Sequence, residues 1–210
     1  MKVTDITPQK HNKSRVSVYL DGKYAFSLDE VDAYRLKIKI GSVLTDEDVE
    51  RCNLESNLSK AISKAADILS RKPATAYEIT AKLRDKGYDD SVISVAVAEL
   101  EELGYINDYD YANLYLDYAE EKCYGKKKIR YELENKGVDP HIIEDVLAQR
   151  ENTDSVGLAQ RIYEKYGNVD MSDMMMRSRV SRYLVSRGFD FSEVNDAVKQ
   201  YIKQQEEQYE

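Results

Sequence analysis

Lysine and arginine recur at matching places three times along this 210-residue chain. Lys82, Arg84 and Lys86 form one set, Lys126, Lys127, Lys128 and Arg130 the next, and Arg177, Arg179, Arg182 and Arg187 the last. Cations lined along one surface can track a phosphate backbone or pair with acidic protein groups. Solvation of a helix end explains any one of them as well; recurrence on the equivalent helix of three modules favours binding. The binding candidates are therefore Lys82, Arg84 and Lys86, then Lys126, Lys127 and Arg130, then Arg179 and Arg182.

Residue types suited to catalysis are sparse. His11 and His141 are isolated, with no Cys or second His at metal-ligand spacing. Gly125-Lys126-Lys127-Lys128 lacks the earlier Gly and the Ser/Thr of a phosphate-binding P-loop. Asn107 beside Asp108 offers one carboxylate where metal chemistry needs several converging ones. Cys52 and Cys123 have no CxxC partner and read as reduced thiols. The expectation is a non-enzyme without metal or cofactor. Six tyrosines crowd residues 109–131. Tyr111, Tyr115 and Tyr118 fall at helical spacing and read as core, while Tyr109 and Tyr124 are the better surface candidates for stacking on bases.

The elements that must position these groups repeat as well. Ile79-x-x-x-Leu83-x-x-x-Gly87-Tyr88-Asp89 returns as Ile129-x-x-x-Leu133-x-x-x-Gly137-Val138-Asp139 and as Val180-x-x-x-Leu184-x-x-x-Gly188-Phe189-Asp190, at intervals of 50 and 51 residues. Apolar residues four apart share a helix face. A Gly one turn later suits the left-handed C-terminal cap, and the apolar residue after it can pack back on the helix. The glycines should therefore have positive φ. Ala61, Ile62, Ala65, Ala66 and Leu69 open the first repeat; Tyr111, Ala112, Tyr115, Leu116 and Ala119 answer 50 residues on; Leu158, Ala159, Ile162, Tyr163 and Tyr166 open the third, before an insertion around Met171–Met176. Pro73 and Gly125 punctuate the links. The predicted fold is mainly α: three tandem three-helix repeats in an elongated curved array, with a small N-terminal β-hairpin element. Repeats present surfaces more readily than they enclose reaction pockets.

The expected division is a β-containing element over 1–52 and repeats over 53–106, 107–151 and 152–205. Val16, Val18 and Leu20, then Asp21-Gly22, then Tyr24, Phe26 and Leu28 spell a hairpin. Val3 to Thr7 supplies a third strand, Asp29 to Arg35 a helical turn or two, and Thr45-Asp46-Glu47-Asp48 a helix start. The polar stretch Lys203–Glu210 is expected to fray. Charge is zoned. Residues 1–86 carry 16 basic and 13 acidic side chains, whereas 87–121 carry ten acids and no Lys or Arg. No secretory signal or membrane span is visible, which points to the cytoplasm. Thr75 to Ile106 also reads like a winged helix-turn-helix, but its recognition helix would hold Glu99, Glu101 and Glu102 and no cation, which opposes duplex readout.

These residues resemble the bacterial RecX regulators, which modulate the RecA recombinase. The first repeat carries the family's pattern at Leu69, Arg71, Thr75, Glu78, Ile79, Lys86 and Gly87. The link Gly104-Tyr105-Ile106-Asn107-Asp108 with Tyr111-Ala112 is close to the family's, and Gly125, Ile129-Arg130-x-Glu132-Leu133-x-x-Lys136-Gly137-Val138 is the most specific stretch. The resemblance covers roughly residues 58–200, and the hairpin looks like the extension of longer members. Two positions depart: Asn107 stands for the first acid of a usual pair, and Glu120-Glu121 where members often carry Arg. No role is carried over to either. The resemblance implies a regulator of homologous recombination and DNA repair in the SOS response. It would bind the RecA–single-stranded-DNA filament and restrain filament growth, ATP hydrolysis and strand exchange. The charge zoning suits this, with the acidic 87–121 zone facing protein and the cationic helices facing DNA or acidic filament patches. A monomer is expected. A stand-alone DNA-binding or winged-helix-like transcriptional regulator is the alternative.

Overall fold

The computed structural model describes residues 1–10, 13–149 and 155–207. The chain divides into two compact units, Met1–Asn107 and Asp108–Glu210. The first unit opens with an antiparallel sheet of β1 (Val3–Pro8), β2 (Arg15–Leu20) and β3 (Lys23–Asp29), in that order. Asp21 and Gly22 both take positive φ, 47° and 81°, as a two-residue hairpin turn requires. Val3, Val18, Phe26 and Leu28 point into one core with Cys52.

Helix α1 (Glu30–Arg35) follows, then α2 (Asp46–Leu69). Thr45 and Asp48 close a reciprocal capping box at the start of α2. The helix runs through residues 52 and 53 without a break, so the sheet and the first repeat share it. Its first half buries Cys52 and Ser56 towards the sheet, and its second half buries Ala61 and Ala65 in the first-repeat core. Arg15, almost fully buried, fastens the join: its guanidinium donates to Asp29 at 3.1 Å and to the Ser56 hydroxyl at 3.1 Å, and Ser59 also donates to Asp29. Helices α3 (Ala76–Asp85) and α4 (Asp90–Glu102) complete the unit.

The second unit comprises α5 (Asp108–Glu121), α6 (Lys126–Asn135), α7 (Pro140–Gln149), α8 (Ser155–Tyr166), α9 (Met174–Ser186) and α10 (Phe191–Glu207). It holds two cores, one under α5 to α7 and one under α8 to α10. The boundary expected between the second and third repeats, at 151 and 152, lies outside the described residues. Lys203–Glu207 does not fray but continues α10. The reason is an anchor: buried Tyr201 donates its hydroxyl to Gly167 O at 2.6 Å and accepts from the Val169 amide, while Gln205 donates to the Tyr201 hydroxyl and to Val169 O. The last residues of the tail, 208–210, lie outside the described residues.

The three repeated turns share one hydrogen-bond pattern. Gly87, Gly137 and Gly188 have φ of 83°, 72° and 90°. Their amides donate to Arg84, Glu134 and Val185, and the next residues, Tyr88, Val138 and Phe189, donate back to Leu83, Leu133 and Leu184. This is the two-bond cap that satisfies the last carbonyls of a helix. The aspartate after it starts the next helix: Asp139 accepts from the His141 amide, and Asp190 from Ser192 and Glu193.

Candidate functional site

The cations of α3 gather with others that the sequence reading did not select. Lys82 and Lys86 share a groove of about 510 Å³ with Lys64, Arg71 and Lys72 from the end of α2 and the link after it. Asp67 and Asp85 are the acids on its walls. Both helices end here, so the positive groups also sit by the negative ends of two macrodipoles, which offsets part of their mutual repulsion. Arg84 is turned elsewhere: its Nε and Nη2 donate to Asp90 Oδ1 at 3.0 and 2.8 Å. The signal for Lys64 and Lys72 was present in sequence, but nothing local says that residues 64, 72 and 82 line one groove.

In α6, Arg130 forms a two-pronged pair with Glu144 of α7, Nε to Oε1 at 2.8 Å and Nη2 to Oε2 at 3.0 Å. This hydrogen bonding holds the Glu144 carboxyl below the ordinary glutamate range and raises the already high pKa of Arg130. The side chains of Lys126 and Lys127 make no hydrogen bond or ion pair among the described residues. Three lysines at a helix N-terminus oppose its macrodipole. The local answer is tertiary. The C-terminus of α9 abuts the N-terminus of α6, where Arg187 O accepts from the Gly125 amide at 2.8 Å and Gly188 O accepts from Lys127 at 3.2 Å.

That approach explains both glycines. A Cβ on Gly125 would lie 2.4 Å from Gly188 C and O, and one on Gly188 would lie 2.4 Å from Lys128 N. Thr75 holds the position of Gly125 one repeat earlier and caps α3 with its own hydroxyl, which accepts from the Glu78 amide at 3.1 Å. Gly125 gives up that hydroxyl, and the Gly188 carbonyl, just past α9, accepts from the first turn of α6 instead. The Thr-to-Gly change between repeats was visible in sequence; its partner was not.

Around this junction cations and aromatic rings alternate. Lys128 Nζ lies 4.1 Å from the centroid of Tyr124, and Arg187 lies 5.4 Å from Tyr124 and 5.3 Å from Tyr183. Lys165 lies 3.9 Å from Tyr183, which meets Tyr166 edge-on at 5.9 Å, and Arg179 lies 6.0 Å from Tyr166. The series continues past Tyr124 to Tyr118, 6.2 Å away, with Lys122 over it. Arg187 also donates to Lys122 O at 2.9 Å, tying α9 to the end of α5. Cation–π contacts of this kind keep long side chains extended along the surface. Of the eight candidates, only Arg179 joins the row; Arg182 makes a longer contact to Ser178 O at 3.4 Å. Lys165, Tyr166 and Tyr183 come from residues chosen for core packing or not chosen at all.

Two tyrosine assignments need correction. Tyr111 and Tyr115 pack on the second-repeat core as expected, but Tyr118 is exposed and Tyr124 is half-buried against that core. Helix α5 turns only part of its circumference inward, and Tyr118 lies beyond the stripe of Ala112, Tyr115, Leu116 and Ala119. Burial pushes the Tyr115 hydroxyl upward, so it does not ionise in ordinary conditions. Burial likewise raises the Cys52 thiol, which fits an unreactive core residue. His141 is exposed, and His11 lies outside the described residues. Among the described residues no group of three or more His, Cys, Asp or Glu is arranged to hold a metal, and no helix is long and apolar enough to cross a membrane.

Family profiles match three stretches: the Regulatory protein RecX N-terminal domain over residues 1–45, the RecX first three-helix domain over 61–100, and the RecX second three-helix domain over 107–147. A Regulatory protein RecX of Clostridium botulinum strain Alaska E43 is 31% identical over 203 residues, 95% of each chain. The chain belongs to the RecX family of regulatory proteins. A Listeria monocytogenes member is 31% identical over 196 residues, covering 90% of this chain and 71% of that one. Among solved structures, a regulatory protein RecX superposes with a TM-score of 0.74 at 25% identity, over 94% of this chain and 98% of that one. RecX from Lactobacillus salivarius gives 0.59 at 26% identity, over 69% and 96%. The family is one of regulatory proteins. The fold expected from the repeats, mainly helical three-helix modules behind a small antiparallel sheet, is the one found.

Proposed function

We propose that the chain binds the RecA–single-stranded-DNA filament and restrains its growth, ATP hydrolysis and strand exchange. The observation that carries this reading is the row of alternating cations and rings from Lys128 to Arg179, beside Lys126 and Lys127. Basic groups interleaved with aromatic faces suit a sequence-tolerant phosphate backbone with unpaired bases. Lys82 and Lys86 with their neighbours supply a second basic groove in the first unit. Arg84 and Arg130 would contribute once released from Asp90 and Glu144, exposed pairs that cost little to exchange.

The stand-alone duplex reader is less well supported. Ser91, Val95, Glu99 and Glu102 share one exposed face of α4, the helix that would enter a groove, and two of them are acids. Phosphates repel such a face.

The test measures RecA ATPase on single-stranded DNA with the parent and with Lys126, Lys127 and Arg130 reversed to Glu. Exposed charges contribute little to stability, so the variant should fold. Suppression of ATPase is expected to vanish in this variant and to persist when Lys10 and Lys13 are reversed. Loss in the control alone moves the contact elsewhere. Tight, sequence-specific binding to bare duplex DNA at physiological salt would favour the transcriptional alternative.

A further inference from the structure

The first unit holds a surface that the DNA-facing cations leave unassigned. Helix α2 presents Glu47, Glu50, Arg51, Leu54, Glu55 and Leu58 along one stripe, and α4 faces it with Ser91, Val92 and Val95. Between them runs a groove of about 460 Å³. Its floor is apolar, and two of its residues, Leu54 and Val95, are each 53% exposed although both helices are otherwise well packed. Its rim is acidic. Arg51 is engaged by Asp48 at 2.8 Å and Glu55 by Arg35 at 2.9 Å, which leaves Glu47 and Glu50 as the uncompensated charges beside Leu54. Along α4 the same face continues to Glu99 and Glu102, both exposed, in a stretch without Lys or Arg.

An apolar floor between acidic walls selects its occupant by charge. We propose that the α2–α4 groove docks an amphipathic helical segment of a protein partner, apolar on one face and rich in Lys or Arg on its flanks. Glu47 to Leu58 spans about 16 Å at the helical rise, so roughly three turns of partner helix lie against it. Leucine-like side chains at i, i+3 and i+7 enter between Leu54, Leu58 and Val95, as helix-in-groove recognition requires. Flanking ammonium or guanidinium groups meet Glu47, Glu50 and Glu99. A nucleic acid is excluded by the same charges, and an acidic helix by repulsion. The surface is independent of the filament reading and holds whichever partner carries the segment.

The experiment uses the full chain and two labelled synthetic peptides, one of Leu and Lys with leucines at i, i+3, i+4 and i+7, the other with Glu for every Lys. Fluorescence anisotropy should show the Leu/Lys peptide binding, weakening as salt rises, and the Leu/Glu peptide not binding. Leu54→Lys and Val95→Lys should each weaken the Leu/Lys peptide by about tenfold or more. Glu50→Lys, on the exposed rim, tests the same site without touching an apolar residue and should weaken it as well. Helical circular dichroism checks that each variant is folded. Equal affinity for both peptides, no binding of the Leu/Lys peptide, or binding indifferent to all three substitutions overturns the proposal. So does self-association of the parent that Val95→Lys abolishes, because a second copy would then be the occupant. No DNA or recombinase is present, so a failed filament reading leaves this result standing.

Discussion

Gly87 and Gly188 close equivalent turns with the same hydrogen bonds, yet they live in different surroundings. A Cβ on Gly87 would meet open space, whereas one on Gly188 would run into the backbone of Lys128. The first turn needs glycine only for its left-handed backbone. The third needs it for that and for the approach of another repeat. A motif repeated for a local reason has been reused, in one copy, as a packing surface.

Alanine substitutions separate the two demands. Gly188→Ala combines a left-handed alanine with a backbone clash and should lower stability by roughly 3 kcal/mol, read from the midpoint of urea unfolding. A loss no larger than that of Gly87→Ala would show that the α6–α9 approach yields easily. Gly125→Ala isolates the clash, since Gly125 is the extended N-cap residue with φ of −77°. Its expected cost is roughly 2 kcal/mol, and a cost near zero would remove the packing role assigned to both glycines. Gly87→Ala isolates the backbone requirement and should cost about 1 kcal/mol.

The smallest effect separates the caps that follow these turns. Asp190 accepts from Ser192 and Glu193, and the Ser192 hydroxyl in particular keeps its carboxyl below the usual aspartate range. Asp89, in the same place before α4, makes no side-chain cap bond. A carboxyl whose folded pKa is depressed contributes its stability above the unfolded value and loses it as pH falls through the folded one. The Asp190 contribution should therefore fade below about pH 4. Asp190→Asn should flatten the stability–pH curve in that range and lower stability at pH 7, where Asp89→Asn should cost less; equal losses at pH 7 would mean the two caps are alike.

The repeats were legible because their signals are short. Helical spacing, the left-handed glycine, the apolar residue that donates back to Leu83, Leu133 or Leu184, and the following aspartate all lie within about a dozen residues. The Asp-Gly hairpin and the Thr45 cap were legible for the same reason. The surroundings of the candidate cations were not legible: Arg84 and Arg130 are held by Asp90 and Glu144, while Lys165, Tyr166 and Tyr183 build the row that Lys128 begins.

What the sequence determined by itself is the module: the repeated helix, its glycine cap and the apolar positions four apart, though not the reach of α10 or the outward turn of Tyr118. These follow from backbone preference and periodicity, forces that act between residues a few positions apart. Only the tertiary structure decided that Gly125 meets Gly188, 63 residues on, that α2 serves two cores, and that Leu54 and Val95 stand exposed across one groove. Such contacts depend on how finished helices pack. Packing responds to the summed shape of many side chains, so no short stretch of sequence carries its signal.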